Sequence, residues 1–276
     1  MSLLSIENLR VSFPGEQGAV EVVKGISFEL GRERLGIVGE SGSGKSMTGR
    51  SILRLIDKPG KVTADRMEFD GLDLTTLSNK RMRALRGARM SMVMQDPKFS
   101  LNPVMRIGDQ IAEVLSFHSK LNARERRKRV LESLEAVRIT DPERVYKLYP
   151  HEVSGGMGQR IMIAMMVILE PDLMIADEPT SALDVSVQAQ VLDIMDDLVT
   201  RTGMGLIIIS HDLNMVARYC DRILVMFNGE IVESCQASEL ANAQHPYTQG
   251  LLASTPTLDE HRDRLPVLDR TQLGGV

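Results

Sequence analysis

The sequence predicts an α/β fold with a parallel-sheet core, a small antiparallel β subdomain ahead of it and a helical subdomain inserted within it. Three observations carry this prediction. Four short apolar runs stop abruptly: Leu35 to Val38 at Gly39, Met92 to Met94 at Gln95, Leu173 to Ala176 at Asp177, and Leu206 to Ile209 at Ser210-His211. Unbroken runs of this length suit parallel strands covered on both faces. Helix-period patterns separate most of them. Residues 1–30 alternate instead, and residues 100–166 show helical periods with few strand signals.

In chain order, Leu9, Val11 and Phe13 alternate, as do Ser27 to Leu30 before Gly31, which predicts half-buried antiparallel strands. After the first core strand, Ile52, Leu55 and Ile56 fall on one helical face. Within the insertion, Val130, Leu131, Leu134 and Val137 repeat at helical spacing, and its edges are Asp96-Pro97 and Ser154-Gly155-Gly156. Val187, Val191, Ile194, Met195 and Leu198 mark the helix after Asp184. The expected organisation is a parallel-sheet core with the β subdomain over 1–95 and 167–235, a helical subdomain over 96–166 and a tail over 236–276. Polarity rises after Glu233 and prolines stand at 246, 256 and 266, which predicts a short irregular tail. Ligands of parallel α/β sheets sit beyond the carboxyl ends of the strands, so the residues that end the apolar runs are expected to share a crevice.

Composition excludes several classes. Hydrophobic residues make up 43% and charged residues 25%, which is the profile of a folded globular chain. With 33 Lys and Arg against 37 Asp and Glu, no global basic field draws it to nucleic acid or acidic lipid. Two cysteines, Cys220 and Cys235, encode neither a disulfide framework nor a cysteine metal site. The longest apolar run, Ile161 to Leu169, is nine residues, against roughly 18 for a spanning helix. No export signal is read at the N-terminus.

Residues 39–46, Gly39-Glu-Ser41-Gly42-Ser43-Gly44-Lys45-Ser46, follow an apolar strand and open a helix. That is the context the G-x-x-x-x-G-K-[ST] pattern needs. Glycines let successive N–H groups face a phosphate, Lys45 supplies a cation, and the Ser46 hydroxyl can ligate Mg²⁺. Chance alone gives the pattern in a chain this long about one time in a hundred. A nucleoside triphosphate is the expected ligand. Asp177 and Glu178 end a buried strand, and a bound Mg²⁺ offsets the cost of burying them. Asp177 is expected to hold the metal or its water, and Glu178 to act as general base on the attacking water. Capping of a helix near Pro179-Thr180 is the alternative. His211 is read either as a γ-phosphate contact or as a cap for the helix after Asp212. Gln95 can ligate Mg²⁺ or hold water, and Ser154-Gly155-Gly156 offers a second anion-binding helix start.

Taken together these residues resemble the nucleotide-binding subunit of an ATP-binding cassette transporter. The order of phosphate loop, Gln95, Ser154-Gly155-Gly156, Asp177-Glu178, the loop to Asp184, and His211 is that family's. The resemblance implies a phosphate-loop, RecA-like NTPase core that binds ATP with Mg²⁺. It also implies a head-to-tail pair in which Ser154 and Gly156 touch the partner's γ-phosphate and Asp184 crosses the interface. Gln95-Asp-Pro-Lys-Phe-Ser-Leu-Asn-Pro103 and His245-Pro-Tyr-Thr248 look like the importers of peptides and nickel. That branch implies a peripheral subunit on the cytoplasmic face of the inner membrane. Its implied partners are two permease subunits, a second and different cassette, and indirectly an extracytoplasmic solute-binding protein; nucleic acid is not among them. Ser-Gly-Gly-Met, in place of the commoner Ser-Gly-Gly-Gln, resembles one member of such a pair. Gly158 departs from the arginine more frequent there. With no cysteine after Cys235, no iron–sulfur cluster is expected. Phe13 aligns with the family's adenine-stacking aromatic, although its alternation with Leu9 and Val11 also allows a core position. The basic run Arg124 to Arg129 is expected to be a solvated face. A soluble cassette serving DNA repair or translation, and a cassette that holds ATP without hydrolysing it, are the rival readings.

Overall fold

The alternating N-terminal segment forms a long hairpin of β1 (Leu4–Gly15) and β2 (Gly18–Leu30) in antiparallel register. Leu4 and Ile6 are buried, and so are Leu9 and Val11, three and five residues further on from Ile6. A register shift between the Ile6 and Leu9 pairs, with Asn8 at φ 50°, accounts for the change of parity. The extra residue of a bulge returns the apolar side chains to one face. This is a computed structural model, and it describes residues 2–16, 18–94, 100–181 and 183–254. The fold divides into two units, Met1–Thr75 with Ile208–Val276, and Thr76–Ile207.

In the first unit, β4 (Lys61–Thr63) and β5 (Arg66–Phe69) both pair antiparallel with β1, and β6 (Leu72–Asp73) extends β5. Between β2 and β4 the chain forms β3 (Arg34–Val38), whose last four residues are buried, and α1 (Lys45–Ile52).

The second unit opens with α2 (Asn79–Leu85) and β7 (Met90–Val93). It continues with α3 (Ile107–His118), α4 (Ala123–Ala136), α5 (Pro142–Lys147) and α6 (Gly155–Val167). Ile107, Ile111 and Leu115 on α3 and Val130 and Leu134 on α4 are buried, which is the predicted helical spacing put to use. Asn122 and Glu125 form a reciprocal capping box at the start of α4. The basic run on that helix is paired: Arg127 bonds Glu143, Arg129 bonds Glu170 at 2.9 Å, and Lys128 meets Glu132 at 3.7 Å. β8 (Leu173–Asp177) lies parallel to β7, with Val93 opposite Ala176, and every residue of both strands is buried. Next come α7 (Val185–Thr202) and β9 (Gly205–Ser210), within which the division between units falls.

Back in the first unit, α8 (Leu213–Tyr219) leads to β10 (Arg222–Phe227), parallel to β3 with Val225 opposite Val38. β11 (Glu230–Gln236) turns back antiparallel along β10, so this edge makes the sheet mixed. Its turn is Asn228-Gly229 at φ 51° and 86°, a two-residue connection that needs positive φ at both positions. The irregular tail expected after Glu233 is corrected here for residues 236–254. β11 runs to Gln236, a short 3-10 helix covers Ala237–Asn242, and α9 spans Pro246–Ser254. Pro246 starts that helix, where its missing N–H costs nothing. Pro256 and Pro266 lie outside the described residues.

Candidate functional site

The phosphate loop is shaped by glycines at φ 152° (Gly39), 83° (Gly42) and 99° (Gly44). Two of them also need the absence of a side chain. A Cβ on Gly39 would lie 2.1 Å from the Met226 carbonyl oxygen, and one on Gly44 2.6 Å from that of Val22. Lys45 is 5% exposed, and its ammonium donates to the carbonyls of Gly39 and Glu40, each at 2.7 Å. Ser43 N–H closes a turn onto Glu40 O at 3.2 Å, and Ser43 O accepts from Gly229 N–H at 3.2 Å. The loop thus feeds α1 from Gly44 with no acidic residue in the helix's first turn. That combination leaves a concentration of N–H groups and positive helix end for an anion. Ser41 and Gly42 are exposed, Ser43 is buried, and Ser46 is half-buried.

Phe13 is half-buried near the end of β1, and a Cβ on Gly60 would lie 2.7 Å from its ring. It is therefore not one of the fully buried residues that Leu9 and Val11 are. His211 follows β9 and is exposed. It does not cap α8; Asp212 does, accepting from Met215 N–H at 3.0 Å. The two cysteines are free, and burial pushes the Cys220 thiol up to about 12.

In the second unit, Asp177 ends β8 at 4% exposure and Glu178 follows, half-buried. Glu178 adopts φ 47°, a left-handed conformation that costs a non-glycine residue of order 1–3 kcal/mol. Its carbonyl accepts from Ser181 N–H at 3.3 Å and Ser181 Oγ at 3.2 Å. The two acids start no helix at Pro179-Thr180, since the next one begins at Val185 with Asp184 as its cap. Asp184 accepts from Ser186 Oγ at 2.7 Å and Val187 N–H at 3.1 Å, and these bonds hold its carboxyl below the usual range.

Ser154 caps α6 by accepting from Met157 N–H at 3.3 Å. Gly155 is exposed, and Gly156 packs on α7, where a Cβ would meet Val187 Cγ1 at 2.5 Å. Gly156→Ala is therefore expected to cost about 1–3 kcal/mol through overpacking, because Val187 is stiff. Urea denaturation of the variant checks this. Gly158 is buried in the same first turn. Gln95 lies outside the described residues, as do the four residues after it. Sequence reasoning missed Tyr247, whose hydroxyl meets the phosphate loop, and the Asn228-Gly229 turn, although Asn-Gly between two apolar runs is a hairpin signal.

Comparison with known proteins ties these parts to one family. The ABC transporter family model matches residues 23–181. The chain belongs to the ABC transporter family. It is 47% identical to the dipeptide transport ATP-binding protein DppD of Bacillus subtilis over 98% of this chain and 81% of that protein. The oligopeptide transport ATP-binding protein OppD of the same organism is also 47% identical, over 93% of this chain and 73% of its own. The Escherichia coli dipeptide transport protein DppD is 44% identical, over 97% and 83%. Among solved structures, the ATP-binding cassette MJ0796, captured as a dimer in a post-hydrolysis state with ADP and Pi, matches with a TM-score of 0.76. It shares 26% identity over 85% of this chain and 98% of that one. The protein cbiO1 of Clostridium perfringens, part of the transporter complex cbiONQ, gives 0.74 at 26% identity over 87% and 91%. The predicted α/β, phosphate-loop fold with its antiparallel β subdomain is the fold of these ABC cassettes.

Proposed function

We propose that this chain is the ATP-hydrolysing subunit of a peptide importer, bound on the cytoplasmic face of the inner membrane to two permease subunits. The observation that carries the reading is the 47% identity to a dipeptide transport ATP-binding protein across 98% of the chain. The phosphate loop supports it, with Lys45 and glycines in the conformations a phosphate cradle requires. Among the described residues no helix is long and apolar enough to cross a membrane, so attachment runs through partners. Val104, 79% exposed, lies with Pro103, Leu148 and Tyr149 along an open groove of the second unit. An apolar surface of that kind supports docking on a permease. The second cassette is a different subunit, and an extracytoplasmic protein delivers the peptide to the permeases.

In this reading Lys45 and the N–H groups of residues 41–46 bind the triphosphate, and Phe13 stacks on adenine. Ser46, Gln95 and Asp177 hold Mg²⁺. Their hydroxyl, amide and carboxylate oxygens are the hard donors that ion takes. Among the described residues no group of three or more His, Cys, Asp or Glu is gathered into a metal cage. A site completed by phosphate oxygens and water needs none. The ion, when bound, neutralises charge on the phosphate oxygens. Glu178 takes the proton of the attacking water as its oxygen bonds to the γ-phosphorus and the bond to the ADP oxygen breaks. His211 contacts the γ-phosphate. Ser154, Gly155 and Gly156 of each cassette face the nucleotide of the other, and Asp184 lies across that interface. Gln95 reports nucleotide state to the helical subdomain over 96–166.

The test is to tag the chain, isolate it from detergent-solubilised membranes and identify what accompanies it by mass spectrometry. Two multi-span permeases and a second cassette are expected. Soluble or nucleic-acid-associated partners alone would overturn the importer.

A further inference from the structure

The C-terminal segment His245-Pro-Tyr-Thr248, unused so far, reaches the phosphate loop. Glu40 N–H donates to Tyr247 Oη at 2.9 Å. Tyr247 is fully buried, and its ring lies 4.3 Å from that of Phe227, centroid to centroid. The tyrosine is itself held in place. Its N–H donates to His245 Nδ1 at 3.2 Å, and the N–H groups of Gln244 and His245 donate to the Glu233 carboxylate on β11 at 2.6 and 3.3 Å. Everything in this chain of contacts belongs to the first unit.

The Gly39–Glu40 peptide unit is the hub of the loop. Its carbonyl, that of Gly39, receives the Lys45 ammonium at 2.7 Å, while its N–H, that of Glu40, goes to Tyr247 at 2.9 Å; the carbonyl of the next unit, Glu40 O, receives Lys45 at 2.7 Å and Ser43 N–H at 3.2 Å. A peptide unit gripped on both sides has a fixed plane, and that plane sets the direction in which the following N–H groups point. Losing one grip leaves a part-buried N–H unsatisfied and frees the peptide to rotate.

We propose that Tyr247 is a positioning residue for nucleotide binding: its hydroxyl holds the Gly39–Glu40 peptide so that the phosphate loop is formed before ATP arrives. The proposal rests on the ATP-binding reading above. Pre-formation spares ATP the ordering of the loop, so its loss is read in affinity more than in chemistry.

The test is Tyr247→Phe in the full chain, which keeps the ring and removes one oxygen. The apparent KM for MgATP is expected to rise about five- to tenfold, the worth of one hydrogen bond with a part-buried partner. The kcat is expected to stay within about twofold, and hydrogen exchange at the Glu40 amide to quicken about tenfold or more. An unchanged KM with unchanged exchange overturns the proposal, and so does a loss of thermal stability with no KM shift. Should the variant fail to fold, exchange in the parent chain decides: protection of the Glu40 amide without nucleotide supports the proposal, and rapid exchange overturns it. Failure of the parent chain to bind MgATP would instead sink the ATP-binding reading itself.

Discussion

Glu178→Gln is expected to bind MgATP within about twofold of the parent and to hydrolyse it at least about a hundredfold more slowly, the usual worth of a positioned general base. The amide keeps the size of the side chain but cannot accept the proton of the attacking water. Glu178 follows a fully buried strand and is held at φ 47°, a conformation that neither Glu nor Gln favours. Strain of this kind persists where surrounding structure enforces it, here with Ser181 N–H and Oγ bonded to the Glu178 carbonyl. Gln has the same backbone preferences, so the substitution isolates the chemistry from the geometry. Steady-state phosphate release from the assembled complex, with equilibrium nucleotide binding measured beside it, checks both halves. Unchanged turnover would remove Glu178 from the reaction.

The second large effect is expected at Lys45. Its ammonium is buried against the carbonyls of Gly39 and Glu40, so Lys45→Ala removes a phosphate contact and a clasp of the loop together. Charge-assisted hydrogen bonds are worth about 1.5–3 kcal/mol, which corresponds to an affinity loss of about ten- to a hundredfold for MgATP. Titration with a fluorescent nucleotide reads it. An affinity within twofold of the parent would place the phosphates elsewhere. The two substitutions differ in signature, since one abolishes turnover with binding intact and the other weakens binding itself.

The strands that carry the site were legible because a strand covered on both faces must be continuously apolar. Leu35 to Val38, Leu173 to Ala176 and Leu206 to Ile209 became β3, β8 and β9 for that reason. The phosphate loop was legible because glycine is the residue that tolerates the φ values found at 39, 42 and 44. β10 was overlooked although Ile223 to Met226 is just such a run, and with it the Asn-Gly turn whose Gly229 N–H meets Ser43 O. Other features have no local signal. The left-handed Glu178 is set by its surroundings, since Glu does not prefer that region. Tyr247 lies 207 residues from its partner Glu40, in a stretch whose prolines and polar residues read as loop. The capping roles of Ser154 and Asp184 were likewise hidden behind the resemblance to an interface. A single side chain can start a helix in the isolated chain and, in the proposed pair, face a nucleotide.

ATP hydrolysis by this chain is expected to drive peptide import, which is read as uptake of labelled di- and oligopeptides by proteoliposomes containing the co-purified permeases and both cassettes. With the solute-binding protein supplied on the peptide side and MgATP on the cassette side, uptake is expected to follow ATP turnover and to stop with Glu178→Gln. Uptake that persists in that variant, or ATP turnover that moves no peptide, would contradict the account.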